Sequence, residues 1–158
     1  REWMTPCICM KTRDALRRIR ESGLEDLLRT CTFSNFETEQ PFQERMKQCA
    51  LDFLSERQAW FFVGGQSGCG KTHICTALVG GFIKLGFSVR YLVGQEASAR
   101  LKAAILDGSY ATELLPYKEA DVLYLDDLFK TKSGFLQDVS NADVKLAFEL
   151  LDYPAIEC

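Results

Sequence analysis

Apolar residues recur every three or four positions in several stretches of the chain, and this spacing predicts helices. The predicted helices span residues 11–22, 42–54, 72–85, 97–106 and 140–151, and residues 24–28 extend the apolar face of the first one. Shorter runs rich in aromatic and β-branched residues predict buried strands at 60–63, 87–93 and 121–127. Because strands alternate with helices, the pattern predicts an α/β fold in which helices cover both faces of a parallel sheet.

Composition is compatible with a packed core. A chain of 158 residues with 47% hydrophobic residues suits one domain, and no stretch approaches the roughly 20 apolar residues that a bilayer-spanning helix needs. The net charge of −3 provides no overall attraction to nucleic acids, so any contact with DNA would require a local basic patch. Since no stretch is long enough to span a bilayer, we expect a soluble protein. The seven cysteines form no evident disulfide framework, so we expect them to be reduced thiols in a cytoplasmic protein.

The stretch GGQSGCGKT, residues 64–72, follows the predicted strand 60–63 directly and matches the phosphate-binding pattern G-x-x-x-x-G-K-S/T. Its glycines lack the Cβ that would block a tight turn, so successive backbone N–H groups can surround a phosphate. Lys71 would contact β- and γ-phosphate oxygens, and the Thr72 hydroxyl would bind Mg²⁺. A glycine-rich turn without a ligand is the alternative, but strand, loop and helix follow in the order that the motif requires. The predicted nucleotide-binding residues are Gly65, Gln66, Ser67, Gly68, Cys69, Gly70, Lys71, Thr72 and His73.

His73 stands alone behind the loop. A packed helix residue is the commoner role for such a histidine than a ligand or a base.

A second motif ends in two acids. The apolar run 122–125 leads into Asp126 and Asp127, 54 residues after Thr72, and predicts a Walker B strand that brings a carboxylate beside the phosphate loop. Asp126 would hold Mg²⁺ through water, and Asp127 would orient or deprotonate the attacking water. Lys71 and Asp127 are therefore the predicted catalytic residues. A solvated turn is the alternative for adjacent acids, and the pairing with the phosphate loop favours the Walker B interpretation.

Four segments together resemble the helicase loaders of the DnaC/DnaI type, particularly their phage and mobile-element relatives. These segments are TFSNF (32–36), GGQSGCGKTHICTAL (64–78), VLYLDDLFK (122–130) and DVKLAFELLDY (143–153). The resemblance spans about residues 7–153 and implies an AAA+ ATPase with a P-loop NTPase core. It implies ATP and Mg²⁺ as cofactors and a replicative helicase as partner in DNA replication. It also implies that residues 32–36 lie near the adenine, with Phe33 or Phe36 as a contact, and ordinary packing is the alternative for both.

The sequence departs from that family near its end. The family has a sensor strand, an arginine finger and a further strand after the last predicted helix, whereas this sequence finishes with LDYPAIEC. The expectation is an incomplete AAA+/RecA-like core with weak ATP hydrolysis. The missing sensor strand would lie between the strand 60–63, which precedes the phosphate loop, and the Walker B strand. Residues 60–63 would therefore face a gap in the sheet. In domain terms, we expect a zinc-ribbon remnant at 1–10, a linker helix at 11–30 and the N-terminal part of the ATPase domain at 31–158.

Two minor features have weaker interpretations. Cys7 and Cys9 resemble half of a four-cysteine zinc ribbon, but two thiolates cannot close a structural zinc site, so zinc is not predicted for this chain alone. Clustered basic residues are candidates for contact with single-stranded DNA, although a solvated surface is the commoner role. These residues are Arg13, Arg17, Arg20, Lys130 and Lys132. Self-association through the ATP site is a further candidate interaction.

Two alternative functions share the same loop. A related family of transposition helpers uses this ATPase core to select target DNA. A small-molecule kinase would need a lid and an acceptor pocket, usually rich in arginine after the Walker B strand, and residues 127–158 contain no arginine. The sequence therefore favours the ATPase.

Overall fold

The computed structural model describes residues 17, 19–21, 23–57, 60–127 and 140–151. The helices in these ranges are α1 (Glu25–Thr30), α2 (Pro41–Glu56), α3 (Lys71–Leu85), α4 (Gly94–Asp107), α5 (Tyr110–Lys118) and α6 (Asn141–Leu151), and the strands are β1 (Val89–Val93) and β2 (Val122–Asp126). The two strands lie side by side in a parallel sheet that helices flank, so the predicted α/β class is confirmed. The chain divides into two compact units, Arg1–Val89 and Arg90–Cys158.

Helix α3 is the centre of the first unit, and both α1 and α2 pack against it. Seven of its residues are buried: Ile74, Thr76, Ala77, Leu78, Val79, Phe82 and Ile83. Helix α2 begins at Pro41, where the Gln43 side chain accepts a hydrogen bond of 2.8 Å from the Gln40 N–H. Helix α3 ends at Gly86, whose φ of 101° lies in the left-handed region that favours glycine after a helix. The first unit is therefore a helical layer that presents the N-terminus of α3.

The second unit packs α4, α5 and α6 around the sheet. Its core consists of Leu92, Ala97, Leu101, Leu114 and Leu150. Arg100 on α4 connects to α5 through an ion pair of 3.0 Å with Glu113 and a hydrogen bond of 2.7 Å to the Tyr117 hydroxyl. The core and this polar contact together hold α5 against α4.

The predicted strand at 60–63 is wrong. The structure has an irregular segment there, in which Trp60 is 58% exposed and Phe62 is 89% exposed. Phe61 and Val63 pack against the cluster of Phe36, Ala50 and Ile74. Partly buried and exposed side chains therefore alternate along residues 60–63, as they do in an extended chain. A strand also needs backbone hydrogen bonds to a neighbouring strand, and in the described sheet β1 pairs only with β2.

Helix α5 was not predicted. Pro116 lies within it, and proline ordinarily signals the end of a helix. The turn before the helix is held by the Asp107 carboxylate, which accepts hydrogen bonds of 2.9 Å from the Ser109 N–H and 2.6 Å from the Ser109 hydroxyl. None of the helices that the structure describes has both the length and the hydropathy required to cross a membrane.

Candidate nucleotide-binding site

The predicted phosphate loop connects the irregular segment 60–63 to the first turn of α3. Gly70 precedes the helix with φ 94°, and its carbonyl accepts the first helical hydrogen bond, 3.0 Å from the Ile74 nitrogen. The first N–H groups of a helix have no partner within it, and the helix dipole adds positive potential at the same end. The loop therefore leads into a helix end that is suited to a phosphate group.

Two loop glycines are required for different reasons. Gly68 has φ 81°, and a Cβ built there would meet no atom within 4 Å, so the space beside it is open. Gly70 is enclosed, because a Cβ there would lie 2.9 Å from Cε2 of Phe36. Gly68 thus leaves room above the loop, while Gly70 allows the loop to rest on a buried aromatic ring.

Lys71 folds back onto the loop. Its ammonium group donates hydrogen bonds to the carbonyl oxygens of Gly65 at 2.9 Å and Gln66 at 2.6 Å, and it lies 3.7 Å from Sγ of Cys69. A phosphate oxygen carries a negative charge whereas a carbonyl oxygen carries only a partial one, so the Lys71 ammonium is attracted more strongly to phosphate than to these carbonyls. The charge is therefore held at the loop by partners that an anionic phosphate can replace.

His73 connects α3 to the TFSNF segment, residues 32–36. Its Nε2 lies 3.0 Å from the Thr32 carbonyl oxygen and 3.1 Å from Oδ1 of Asn35. Asn35 Oδ1 also accepts the Thr32 N–H at 2.8 Å, which establishes it as the oxygen of the amide. Since both of its neighbours are acceptors, Nε2 carries a hydrogen. The side chain of this predicted nucleotide-binding residue thus holds the TFSNF segment, which leaves its backbone N–H as the group suited to a phosphate.

The two phenylalanines of the TFSNF segment differ in burial. Phe36 is only 6% exposed and packs with Ala50 and Ile74, and its ring meets the His73 ring edge-on at 5.1 Å between centroids. Phe33 is partly buried beside the same cluster. Of the two predicted roles, adenine contact and core packing, Phe36 has the packing role. Phe33 is more accessible and remains the candidate for an adenine contact.

The carboxylate of Asp126, in the second unit, is held at both oxygens. Asp126 is the last residue of β2, and its Oδ2 accepts a hydrogen bond of 3.2 Å from the Tyr91 hydroxyl of β1. Its Oδ1 accepts a bond of 3.0 Å from the Asp127 N–H. The pKa of Tyr91 is raised to about 12, first by burial and then by the negative charge of Asp126 and the hydrogen bond to it. The phenol therefore keeps its proton and donates at neutral pH.

Asp127 has an unusual backbone conformation. Its φ is 50°, and its side chain is exposed. Among residues other than glycine, aspartate and asparagine enter this left-handed region most readily. An acid at this position is therefore compatible with the turn that ends β2.

The available oxygen ligands suit Mg²⁺. Thr72 of the first unit offers a hydroxyl and Asp126 of the second unit offers a carboxylate, and each is an oxygen ligand of the kind that Mg²⁺ accepts together with substrate phosphates and water. In the described part of the chain, no group of three or more histidine, cysteine or acidic residues could hold a metal ion without such help. Each side chain by itself therefore has the oxygen chemistry that a Mg²⁺ ion arriving with a nucleotide would accept.

Several candidate residues fall outside this description. Cys7, Cys9, Arg13, Lys130 and Lys132 lie outside the described residues. Arg17 is exposed and pairs with Glu21 at 3.8 Å, as expected for a solvated helix surface. Sequence reasoning missed the roles of Tyr91 and Asn35, because each contacts its partner across a long stretch of chain. Tyr91 belongs to no recognised motif, and in the TFSNF segment only the two phenylalanines were considered.

Comparisons with known proteins identify a family and several relatives of this chain. The family described as IstB-like ATP binding protein matches residues 9–155. The phage-like element PBSX protein XkdC of Bacillus subtilis (strain 168) is 30% identical over 146 residues, which are 84% of this chain and 53% of that protein. The replicative helicase loader DnaC of Buchnera aphidicola subsp. Schizaphis graminum is 25% identical over 132 residues, 79% of this chain and 54% of the loader.

A mobile-element protein is also similar. The insertion sequence IS232 putative ATP-binding protein of Bacillus thuringiensis subsp. berliner is 30% identical over 110 residues, 67% of this chain and 42% of that protein. The chain spans about half the length of the curated relatives it matches. Since the family match covers most of the chain, the chain belongs to the family of IstB-like ATP binding proteins.

Proposed function

We propose that this protein is an ATP-binding factor that acts with a replicative helicase in DNA replication. The observation that carries the proposal is the loop from Gly65 to Thr72, which has left-handed glycines, an open space at Gly68 and a lysine held at the loop. Family membership supports ATP as the nucleotide, and the helicase loader among the relatives supports the partner.

In this proposal the residues of each motif have separate roles. Backbone N–H groups of residues 65–73 and the Lys71 ammonium bind the phosphates, and Thr72 and Asp126 hold Mg²⁺. The metal would neutralise charge on the phosphate oxygens. Asp127 orients or deprotonates the attacking water. Fast phosphoryl transfer also uses an arginine that adds to the charge of Lys71 and Mg²⁺ at the γ-phosphate, and no arginine follows Arg100 in this sequence, so we expect slow hydrolysis by the chain alone.

Nucleotide titration of a lysine variant tests the binding site. Lys71→Ala removes the charge that would bind the phosphates, and it should weaken ADP binding by about 10- to 100-fold, the equivalent of a charged hydrogen bond. Lys84→Ala is the matched control, since Lys84 is an exposed lysine in the last turn of the same helix. Equal ADP affinity of Lys71→Ala and Lys84→Ala would refute the phosphate-loop assignment. Circular dichroism establishes that both variants keep their helices.

Phosphate release tests the role of Asp127. Asp127→Asn removes the charge but keeps a residue that tolerates φ 50°, so the backbone should not change. We expect ADP binding to persist and the slow phosphate release to fall, whereas Glu119→Gln, which neutralises another exposed acid of the second unit, should have no effect. Turnover of about one per second by the chain alone, with or without single-stranded DNA, would contradict the need for an additional arginine at the γ-phosphate.

A second candidate function is target selection in transposition. It is favoured by the similarity to the insertion-sequence protein. The two functions predict different partners, a replicative helicase in one case and double-stranded DNA in the other. ATP-dependent binding to a replicative helicase, measured by sedimentation with each partner in turn, would support the loader. ATP-dependent binding to double-stranded DNA alone would support the transposition helper. Self-association through the nucleotide site would appear in the same sedimentation data.

A further inference from the structure

A tyrosine of β1 reaches across the sheet to the Walker B carboxylate. The Tyr91 hydroxyl donates to Asp126 Oδ2 at 3.2 Å, and the two residues stand on neighbouring strands of the second unit. We propose that Tyr91 is a positioning residue, which orients the Asp126 carboxylate for Mg²⁺. The inference rests on the proposed function, because it concerns the metal that accompanies the nucleotide.

The Tyr91 hydroxyl provides one of two hydrogen bonds that orient the Asp126 carboxylate. The torsion that turns an aspartate carboxylate is broad, so a single hydrogen bond leaves the plane of the group free to rotate. Here the Asp127 N–H holds Oδ1 at 3.0 Å and Tyr91 holds Oδ2, and bonds to two different oxygens define the plane. Without the Tyr91 hydroxyl, Asp126 would lose the hydrogen bond to Oδ2, and the carboxylate would be held less firmly in its present orientation.

The tyrosine is itself held in place. Its ring is half-buried and lies against the ring of Tyr124, with the centroids 5.0 Å apart and the planes at 45°. Tyr124 is a buried residue of β2, so the ring contact follows the same strand pairing as the hydrogen bond. A positioning group needs this kind of support, because a mobile donor could not fix the orientation of its acceptor.

Metal binding remains compatible with this bond. An ionised carboxylate has about four lone-pair sites, so Asp126 can accept from Tyr91 and also from a water molecule on the metal. Partners that orient a metal-binding carboxylate typically change metal affinity by about 10- to 100-fold when they are removed. Because Asp126 is expected to act through water, we expect an effect of about tenfold, at the lower end of this range.

The test measures magnesium dependence in Tyr91→Phe. Fluorescent ADP is titrated at a series of Mg²⁺ concentrations, and the concentration that gives half of the magnesium-dependent gain in affinity is compared with that of the unchanged chain. We expect Tyr91→Phe to require about tenfold more Mg²⁺, while ADP affinity in EDTA stays the same. A packing role for the hydroxyl would instead alter the melting temperature without changing the magnesium requirement, and that result would overturn the inference.

Tyr110→Phe is the matched control. The Tyr110 hydroxyl also donates to a carboxylate of the second unit, that of Glu149, so this variant removes the same kind of bond away from Asp126. It should leave the magnesium requirement unchanged. An equal rise in both variants would show a general effect of lost stability and would overturn the proposal.

A second arm tests whether Tyr91 acts through Asp126. In an Asp126→Asn background, Tyr91→Phe should cause no further rise in the magnesium requirement, because the group that it orients has lost its charge. Additive effects would overturn the inference while leaving the proposed function intact. Failure of the unchanged chain to bind ADP would instead overturn the proposed function, and the inference with it.

Discussion

Replacing Gly70 by alanine should destabilise the protein more than the same change at Gly68, and the reason is the ring of Phe36. Both glycines have positive φ, 94° at Gly70 and 81° at Gly68. An alanine in the left-handed region costs about 1–2 kcal/mol. This backbone cost applies at both positions, so any difference between them must come from side-chain contacts.

Only Gly70 has such contacts. A Cβ there would lie 2.9 Å from Phe36 Cε2 and 3.3 Å from Cζ, whereas a Cβ at Gly68 would meet nothing within 4 Å. Phe36 cannot easily move away, since it is buried in its cluster and contacts the His73 ring. Overpacking of this kind costs about 1–3 kcal/mol. We therefore expect Gly68→Ala to lower the free energy of unfolding by about 1–2 kcal/mol and Gly70→Ala to lower it by about 2–5 kcal/mol.

Urea unfolding without nucleotide measures both values, and omitting the nucleotide prevents ligand binding from masking the difference. A double-mutant cycle with Phe36→Leu identifies the cause. The smaller side chain should recover about 1–3 kcal/mol in the Gly70→Ala background, which is the overpacking contribution. Equal losses at Gly68 and Gly70, or a coupling energy near zero in the cycle, would refute the reasoning and assign the whole effect to the backbone.

Three further predictions concern stability. The Thr76 hydroxyl is fully buried and has no hydrogen-bond partner among the described residues, so Thr76→Val should raise the free energy of unfolding by about 1 kcal/mol in urea titrations; a decrease would mean that the hydroxyl has a partner. Asn35→Ala removes the acceptor of the Thr32 N–H, which should exchange its hydrogen about fivefold faster or more in NMR, corresponding to about 1 kcal/mol. Burial and the bond to Glu149 raise the pKa of Tyr110 from 10.0 to about 12, so its contribution to stability is complete below pH 10.0 and is lost as the pH rises through about 12. Thermal melting in that range should show a shallower decline for Tyr110→Phe.

Local signals in the sequence predicted most of the helices and the paired strands. Helix α2 was expected at 42–54 and spans Pro41–Glu56, and α4 was expected at 97–106 and spans Gly94–Asp107. The stops at Gly86 and Gly108 are left-handed, with φ 101° and 79°. These features could be predicted because helical spacing and glycine caps act over a few residues and need no distant partner.

The segment 60–63 and helix α5 show where local reasoning failed. Aromatic and β-branched residues at 60–63 predicted a strand, but strand formation requires a neighbouring strand, and β1 pairs with β2 in the described sheet. Pro116 obscured α5, whose buried Leu114 packs in the core of the second unit. Residues 60–63 thus lack the pairing that their strand preference needs, whereas packing of Leu114 outweighs the helix-breaking tendency of Pro116.

The sequence by itself determined the chemistry of the candidate site, because the phosphate loop and the paired acids are contiguous patterns that require their glycines, lysine and carboxylates at fixed spacing. Tertiary structure decided which side chains support that chemistry. Tyr91 reaches Asp126 across 35 positions, and His73 reaches Thr32 across 41. These contacts arise from strand pairing and from the packing around α3. The spacing of residues along the chain does not predict such long-range pairs of side chains. The loop could therefore be predicted from its sequence motif, whereas the side chains that contact the motif residues from distant parts of the chain could be identified only in the folded molecule.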